Sequence, residues 1–281
     1  MKRKIALGCL LVVGCVVALF GLTDANILQV NGESYYDSSI NMADSLIDIQ
    51  KTIVSKHSAT NSSKYIGEAT VTVTYDSFGV IGTNVSQSKL NEMWAIENPG
   101  KDVKNTCGLV ANTMMIMKYI EQFKIKKVAG YDTSYDIYSV QLKYAWDTKI
   151  FTAKDRGGTC TLEQVSLANH YLFKILNDYS ASLDIGVWSR LKTQLDKKIE
   201  PMVVDCRGKK LGHAMLATDC YIQTVNYKEK IIFGITVSKK KDYKIVRVCS
   251  GWEDTDLKRW EETTNDYIFF DCVFDSIYLY K

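Results

Sequence analysis

Cys107 and His213 are the two side chains whose type and setting point most directly to covalent chemistry. Cys107 opens the run Cys107-Gly108-Leu109-Val110-Ala111-Asn112-Thr113-Met114-Met115-Ile116-Met117-Lys118-Tyr119-Ile120. Leu109, Val110, Met114, Met117 and Ile120 recur at helical spacing, so the run predicts a helix with one buried face. Asn105 and Thr106 stand just before it, and either can cap its first turn through a side-chain oxygen. A cysteine in that turn lies at the positive end of the helix dipole, which favours thiolate over thiol. A thiolate so placed is a nucleophile if a base accompanies it. The competing role is a small buried hydrophobe, which most free cysteines are.

The chain offers three histidines as the base. His57 falls in a polar stretch, 57–64, that reads as a loop before any core. His170 falls inside a predicted helix, where a structural or surface role is expected. His213 follows Gly212 and enters the apolar strand Ala214-Met215-Leu216-Ala217-Thr218, which places an imidazole at the rim of a sheet. Elimination leaves Cys107 with His213.

The elements that must position this pair change character along the chain. A helix is expected over 45–54, with Leu46, Ile49 and Ile53 on one face, and a β-branched, alternating strand over 69–75. Residues 90–103 read as a loop approach with one apolar turn at 93–96. Beyond the Cys107 helix, a short helix ends at Trp146. Gly157-Gly158-Thr159 makes a turn, Thr161 caps a helix running to about Leu176, and 186–197 reads as a third helix. Strands follow at 201–206 and 213–218. Strands at 230–238 and 243–250 form a hairpin whose turn is Lys239-Lys240-Lys241, and closing strands lie at 267–270 and 277–280. Helices first and antiparallel strands second give an α+β arrangement of two lobes.

Composition bounds the class. The 281 residues are 46% hydrophobic and 24% charged with net charge +3, a globular balance that gives no push toward nucleic acid. Residues 1–25 read as a secretory signal peptide: Lys2-Arg3-Lys4, an uncharged run from Ile5 to Leu22, then small residues before Asn26. The run is also just long enough to remain as a membrane anchor, and Val12-Val13-Gly14-Cys15 has the form of a lipobox. The expected localisation is secreted or at the extracellular surface, with membrane contact only through this segment if it is uncleaved. Residues 26–95 form a stalk, pro-segment or accessory region, with glycosylation sequons at Asn61 and Asn84. Six of the eight cysteines lie beyond residue 25, and none has zinc-site spacing, so no metal or other cofactor is assigned.

The helix-opening Cys107, Pro201-Met202-Val203-Val204, Gly212-His213-Ala214-Met215-Leu216-Ala217-Thr218 and the late Gly251-Trp252 come in an order that resembles the papain-like cysteine peptidases. Within them the chain is most similar to the bacterial double-glycine-peptidase-like and streptopain-like secreted enzymes, and Gly157-Gly158-Thr159 before a helix adds to the likeness. The resemblance covers roughly residues 90–280. It implies a peptidase domain over 96–281, with a helical lobe carrying the cysteine and an antiparallel β-barrel-like lobe carrying the histidine. It also implies hydrolysis of a protein or peptide substrate through a Cys107–His213 thiolate–imidazolium pair. The family's third residue, an Asn or Asp that orients the imidazole, has no direct match; Ser250 and Asp254 are the candidates. The family's oxyanion-binding glutamine before the cysteine is also absent, and Asn105 is the nearest amide. Trp252 is the candidate lid over the site. Two further readings share these residues: a peptidoglycan amidase or endopeptidase of cysteine–histidine type, and a surface binding protein that keeps the scaffold without the chemistry.

Overall fold

A computed structural model describes residues 46–60, 62–76, 87–100, 106–122, 134–148, 159–175, 178–198, 200–207, 212–251 and 266–280. The signal segment, both sequon asparagines, Asn105, Trp252 and Asp254 lie outside the described residues. In chain order the elements are α1 (Leu46–Lys56), β1 (Tyr65–Asp76), α2 (Gln87–Glu97), α3 (Cys107–Gln122), α4 (Ser134–Asp147), α5 (Thr161–Ile175), β2 (Ser180–Ile185) and α6 (Trp188–Lys192). A π-helical turn (Thr193–Lys198) then leads to β3 (Met202–Arg207), β4 (Gly212–Lys230), β5 (Thr236–Cys249), β6 (Asp266–Phe269) and β7 (Val273–Tyr280). The fold is α+β.

The seven strands among the described residues join one antiparallel sheet in the order β2-β7-β3-β4-β5-β6, with β1 added to β4. The long strand β4 organises it. Its first third, from Gly212 to Ala217, pairs with β3, and its far part, from Tyr221 to Glu229, pairs with β1. β5 runs along β4 on its other side from Leu216 to Lys230.

Side-chain alternation along these strands separates two cores. Val203, Ala214, Leu216, Ile277 and Leu279 face Leu109, Met115, Tyr138 and Leu172 of α3, α4 and α5. Their strand neighbours Met202, Val204, Met215 and Ala217 pack instead with Leu191, Leu195, Val246 and Ile268. A third cluster sets Ile49 and Ile53 of α1 on Ala69, Val225 and Ile245, at the β1 end of the sheet. Residues 46–76, part of the stretch read as a stalk, pro-segment or accessory region, thus supply a helix and a strand to the sheet.

Several elements differ from expectation. Residues 87–97 form a helix rather than a loop, because Leu90 and Trp94, four apart, are both buried in the α3 core. This helix spans the boundary drawn between residues 95 and 96. The stretch 186–197 divides into α6 and the π turn, and β2 was not foreseen. The hairpin is also shifted. Lys239, Lys240 and Lys241 lie within β5, opposite Tyr227, Asn226 and Val225, and the turn is Ile231-Ile232-Phe233-Gly234-Ile235. Ile231 N–H donates to Ile235 O at 2.8 Å, and Gly234 N–H donates to Ile231 O at 3.1 Å. Phe233 and Gly234 both have positive φ, 66° and 73°, which closes the turn. Among the described residues no helix is long and apolar enough to cross a membrane.

Candidate functional site

Cys107 is the first residue of α3, and Thr106 precedes it. Thr106 is fully buried, and its hydroxyl donates to Asn91 Oδ1 at 2.9 Å. The same oxygen accepts from Tyr138 Oη at 2.7 Å. The start of α3 is thereby tied to α2 and α4, so the cysteine sits on a fixed helix end.

Below it, the sheet presents a row of residues on its helix-facing side. Asp275 pairs with Asp205 across β7 and β3, and Asp205 pairs with Ala214 across β3 and β4. The Ala214 N–H donates toward the Cys107 sulfur, as do the N–H groups of Cys107 and Gly108 at the helix end. These three donors favour thiolate. Burial opposes them more strongly, and the nearby Asp205 carboxylate adds to the opposition, so the thiol is pushed above its ordinary value.

His213 stands next to Ala214, opposite Cys206 of β3. It is 5% exposed, buried rather than at an open rim. Its Nε2 lies 2.7 Å from the backbone carbonyl oxygen of Ser250, at the end of β5. A carbonyl can only accept, so Nε2 carries the proton and, in the neutral ring, Nδ1 carries the lone pair. Burial lowers the imidazole to about 4, with the Ser250 carbonyl acting weakly in the other direction. Burial therefore holds each group neutral by itself, Cys107 as thiol and His213 as imidazole. The expected resting thiolate–imidazolium pair is not what this environment favours.

Ser250 does orient the ring, but through its carbonyl rather than the hydroxyl that its residue type suggested. Asp219, a few residues along the same strand, is directed elsewhere: it accepts from Cys220 N at 2.8 Å and Tyr221 Oη at 2.5 Å. His57 is corrected from a polar loop to a buried position. It is 7% exposed, stacked on Tyr227 at 4.3 Å, with Nε2 2.6 Å from Tyr243 Oη. It belongs to the β1 end of the sheet. His170 stacks on Tyr144 at 3.7 Å, a structural role.

A polar network beside Cys107 had no clear sequence signature. Thr161, at the start of α5, places its hydroxyl 2.7 Å from Asp205 Oδ2 and 2.9 Å from Asp275 Oδ2. Its single proton serves one carboxylate at a time. Gln164, one turn on, donates from Nε2 to Asp205 at 3.1 Å and accepts from Asn112 Nδ2 of α3 at 3.1 Å. Asn112 Nδ2 also donates to Gly108 O at 2.8 Å. The network locks the N-terminal ends of α3 and α5 to the acidic row of the sheet.

Among the described residues Cys107, Cys160, Cys206, Cys220 and Cys249 form no disulfide. Cys206, Cys220 and Cys249 are wholly buried among apolar side chains of the sheet and act as small hydrophobes. Cys160 is exposed. In comparisons with known proteins, no family model matches the chain, and neither a curated protein nor a solved structure matches it.

Proposed function

We propose that the protein is a cysteine-type hydrolase of peptide bonds, built on a papain-like arrangement, with Cys107 as nucleophile and His213 as base. The observation that carries this reading is the placement of the Cys107 thiol at a helix N-terminus against the Ala214 amide. His213, the residue before Ala214 on β4, has Nε2 held by the Ser250 carbonyl, so in the neutral ring the lone pair is on Nδ1. The Ser250 carbonyl stands in for the orienting Asn or Asp that the sequence lacks.

Because both groups rest neutral, proton transfer accompanies attack rather than preceding it. As Sγ bonds to the amide carbon, its proton passes to His213 Nδ1. The oxyanion faces the N–H groups of Cys107 and Gly108 at the start of α3, donors that have no acceptor within the helix. Collapse of the intermediate breaks the C–N bond, and His213 returns the proton to the leaving amine. Water, activated by the same nitrogen, then releases the acid and restores the thiol. The substrate is a protein or peptide.

The test is incubation of the purified protein with an unfolded protein substrate and, separately, with peptidoglycan. Cleavage of the protein substrate is expected. It should be abolished in Cys107→Ala and slowed by about 10²–10⁴ in His213→Ala. Wall fragments without protein cleavage would select the amidase reading instead. Activity that survives in Cys107→Ala, or inactivity on both substrates, would overturn the assignment. The last result would leave a binding protein on this scaffold.

A further inference from the structure

The far end of the sheet carries a feature that folding does not require. Ile231, Ile232, Phe233 and Ile235 form the tip of the β4–β5 hairpin and are 41%, 76%, 96% and 57% exposed. Four large apolar side chains thus project from five consecutive residues, against the usual preference for polar or glycine turns. Phe233 is the strongest case. It adopts φ 66°, ψ 20°, a left-handed conformation that an L side chain resists, and its ring packs against almost nothing. Strain at an exposed aromatic residue points to a use outside the fold.

The charge around this tip is mainly cationic, with Glu68 of β1 an exposed exception. Lys228, Lys230, Lys239 and Lys240 are all exposed on the two strands just behind it. Lys64, just before β1, joins them, since Lys230 N–H donates to Lys64 O at 2.8 Å. The buried carboxylate of Glu229 bridges Lys64 at 3.0 Å and Lys239 at 2.9 Å, which fixes two ammonium groups in the collar. Asp242, further back, is held by Thr224 Oγ1 at 2.7 Å. A convex apolar point with a cationic collar matches the layering of a membrane surface, hydrocarbon beneath anionic headgroups.

We propose that the Ile231–Ile235 hairpin tip inserts into the interface of an anionic lipid bilayer, with the lysine collar resting on the headgroups. This site is independent of the N-terminal segment and of the Cys107 chemistry. At about 3.3 Å per residue, roughly 55 Å of strand separates the tip from His213, so a docked molecule can hold its candidate site clear of the surface.

The experiment is vesicle co-sedimentation of residues 26–281, which retain every described element and omit the apolar N-terminal run. The vesicles are phosphatidylcholine alone or mixed with phosphatidylglycerol. Binding to the mixed vesicles is expected, weaker at high salt and on phosphatidylcholine alone. Ile232→Ser/Phe233→Ser should weaken it by roughly tenfold or more. Phe233→Gly relieves the strained φ and should bind more weakly while unfolding at an equal or higher temperature, which separates lost docking from lost fold. Equal binding by wild type and the double variant would overturn the proposal, as would no binding by either. A dimer that the double variant converts to monomer, without vesicle binding, would overturn it in favour of a second copy of the chain.

Discussion

Between pH 6.5 and pH 4 the protein should lose about 3 kcal/mol of stability through His213 alone. Burial depresses this imidazole from an ordinary value of about 6.5 to about 4. A depressed base binds its proton less readily in the folded state than in the unfolded one. Its stabilising contribution is therefore complete above pH 6.5, falls as the pH drops, and is gone below the folded value. The molecular cause is that an imidazolium here would be charged in a place with 5% exposure, its Nε2 directed at a carbonyl. His57, also lowered mainly by burial, adds a change of the same sign. Urea unfolding from pH 7.5 to 4 in wild type and His213→Gln isolates the effect. The variant should keep the part of the acid slope owed to His57 and the carboxylates and lose the His213 part. Parallel curves for the two proteins would show that His213 is not held neutral by burial.

Gly108→Ala should cost about 3 kcal/mol and disturb the Cys107 end of α3. A methyl group at Gly108 would press on Thr159 Oγ1 and stand 2.8 Å from Gln164 Cδ and 3.0 Å from its Cγ. Gln164 cannot swing aside without breaking its bonds to Asn112 and Asp205, so the strain falls on the network that seats Cys107. The Thr159 hydroxyl is buried with no hydrogen-bond partner among the described residues, so Thr159→Ala alone should be close to neutral. It also removes the atom in closest conflict. In the Thr159→Ala background, Gly108→Ala should therefore cost at least about 1 kcal/mol less, a coupling that a double-mutant cycle measures. Strict additivity would mean that the helix end accommodates the methyl by moving away from α5.

What the sequence disclosed follows from where its chemistry is local. The Cys107 helix was legible from its first residue because an apolar face and an uncharged, cappable start stand together in one run. Strand β1 was legible from alternating Thr and Val. The hairpin misled in both directions: three lysines resemble a turn, yet in β5 they extend from a paired strand into solvent. Ile231-Ile232-Phe233 resembles a strand, yet it forms the turn, with Gly234 as its only conventional turn residue. Helix α2 escaped notice because just two of its side chains, Leu90 and Trp94, reach the core.

The site was half legible for the same reason. Cys107 and His213 are rare residue types with telling neighbours. The group that orients His213 is a main-chain carbonyl, which no residue type announces; Ser250 was named for a hydroxyl that is not the contact. Asp205, Asp275, Thr161 and Gln164 meet across strands and helices far apart in sequence, and each alone is an ordinary polar residue. The charge states of Cys107 and His213 were also beyond the sequence. The helix dipole suggested a thiolate, but burial favours the neutral form of each group.

The most direct measurement is the rate of iodoacetamide alkylation of Cys107 at pH 7.5, resolved by mass spectrometry, in wild type and His213→Ala. Cys160 is an internal reference, because it is a free thiol in the same molecule and is more exposed. If His213 takes the thiol proton, Cys107 labels faster than Cys160 despite its burial. Its rate then falls about tenfold or more in the variant, while that of Cys160 does not move. A Cys107 that labels slowly, at the same rate in both proteins, would be an ordinary buried thiol and would contradict the assignment of a nucleophile and its base.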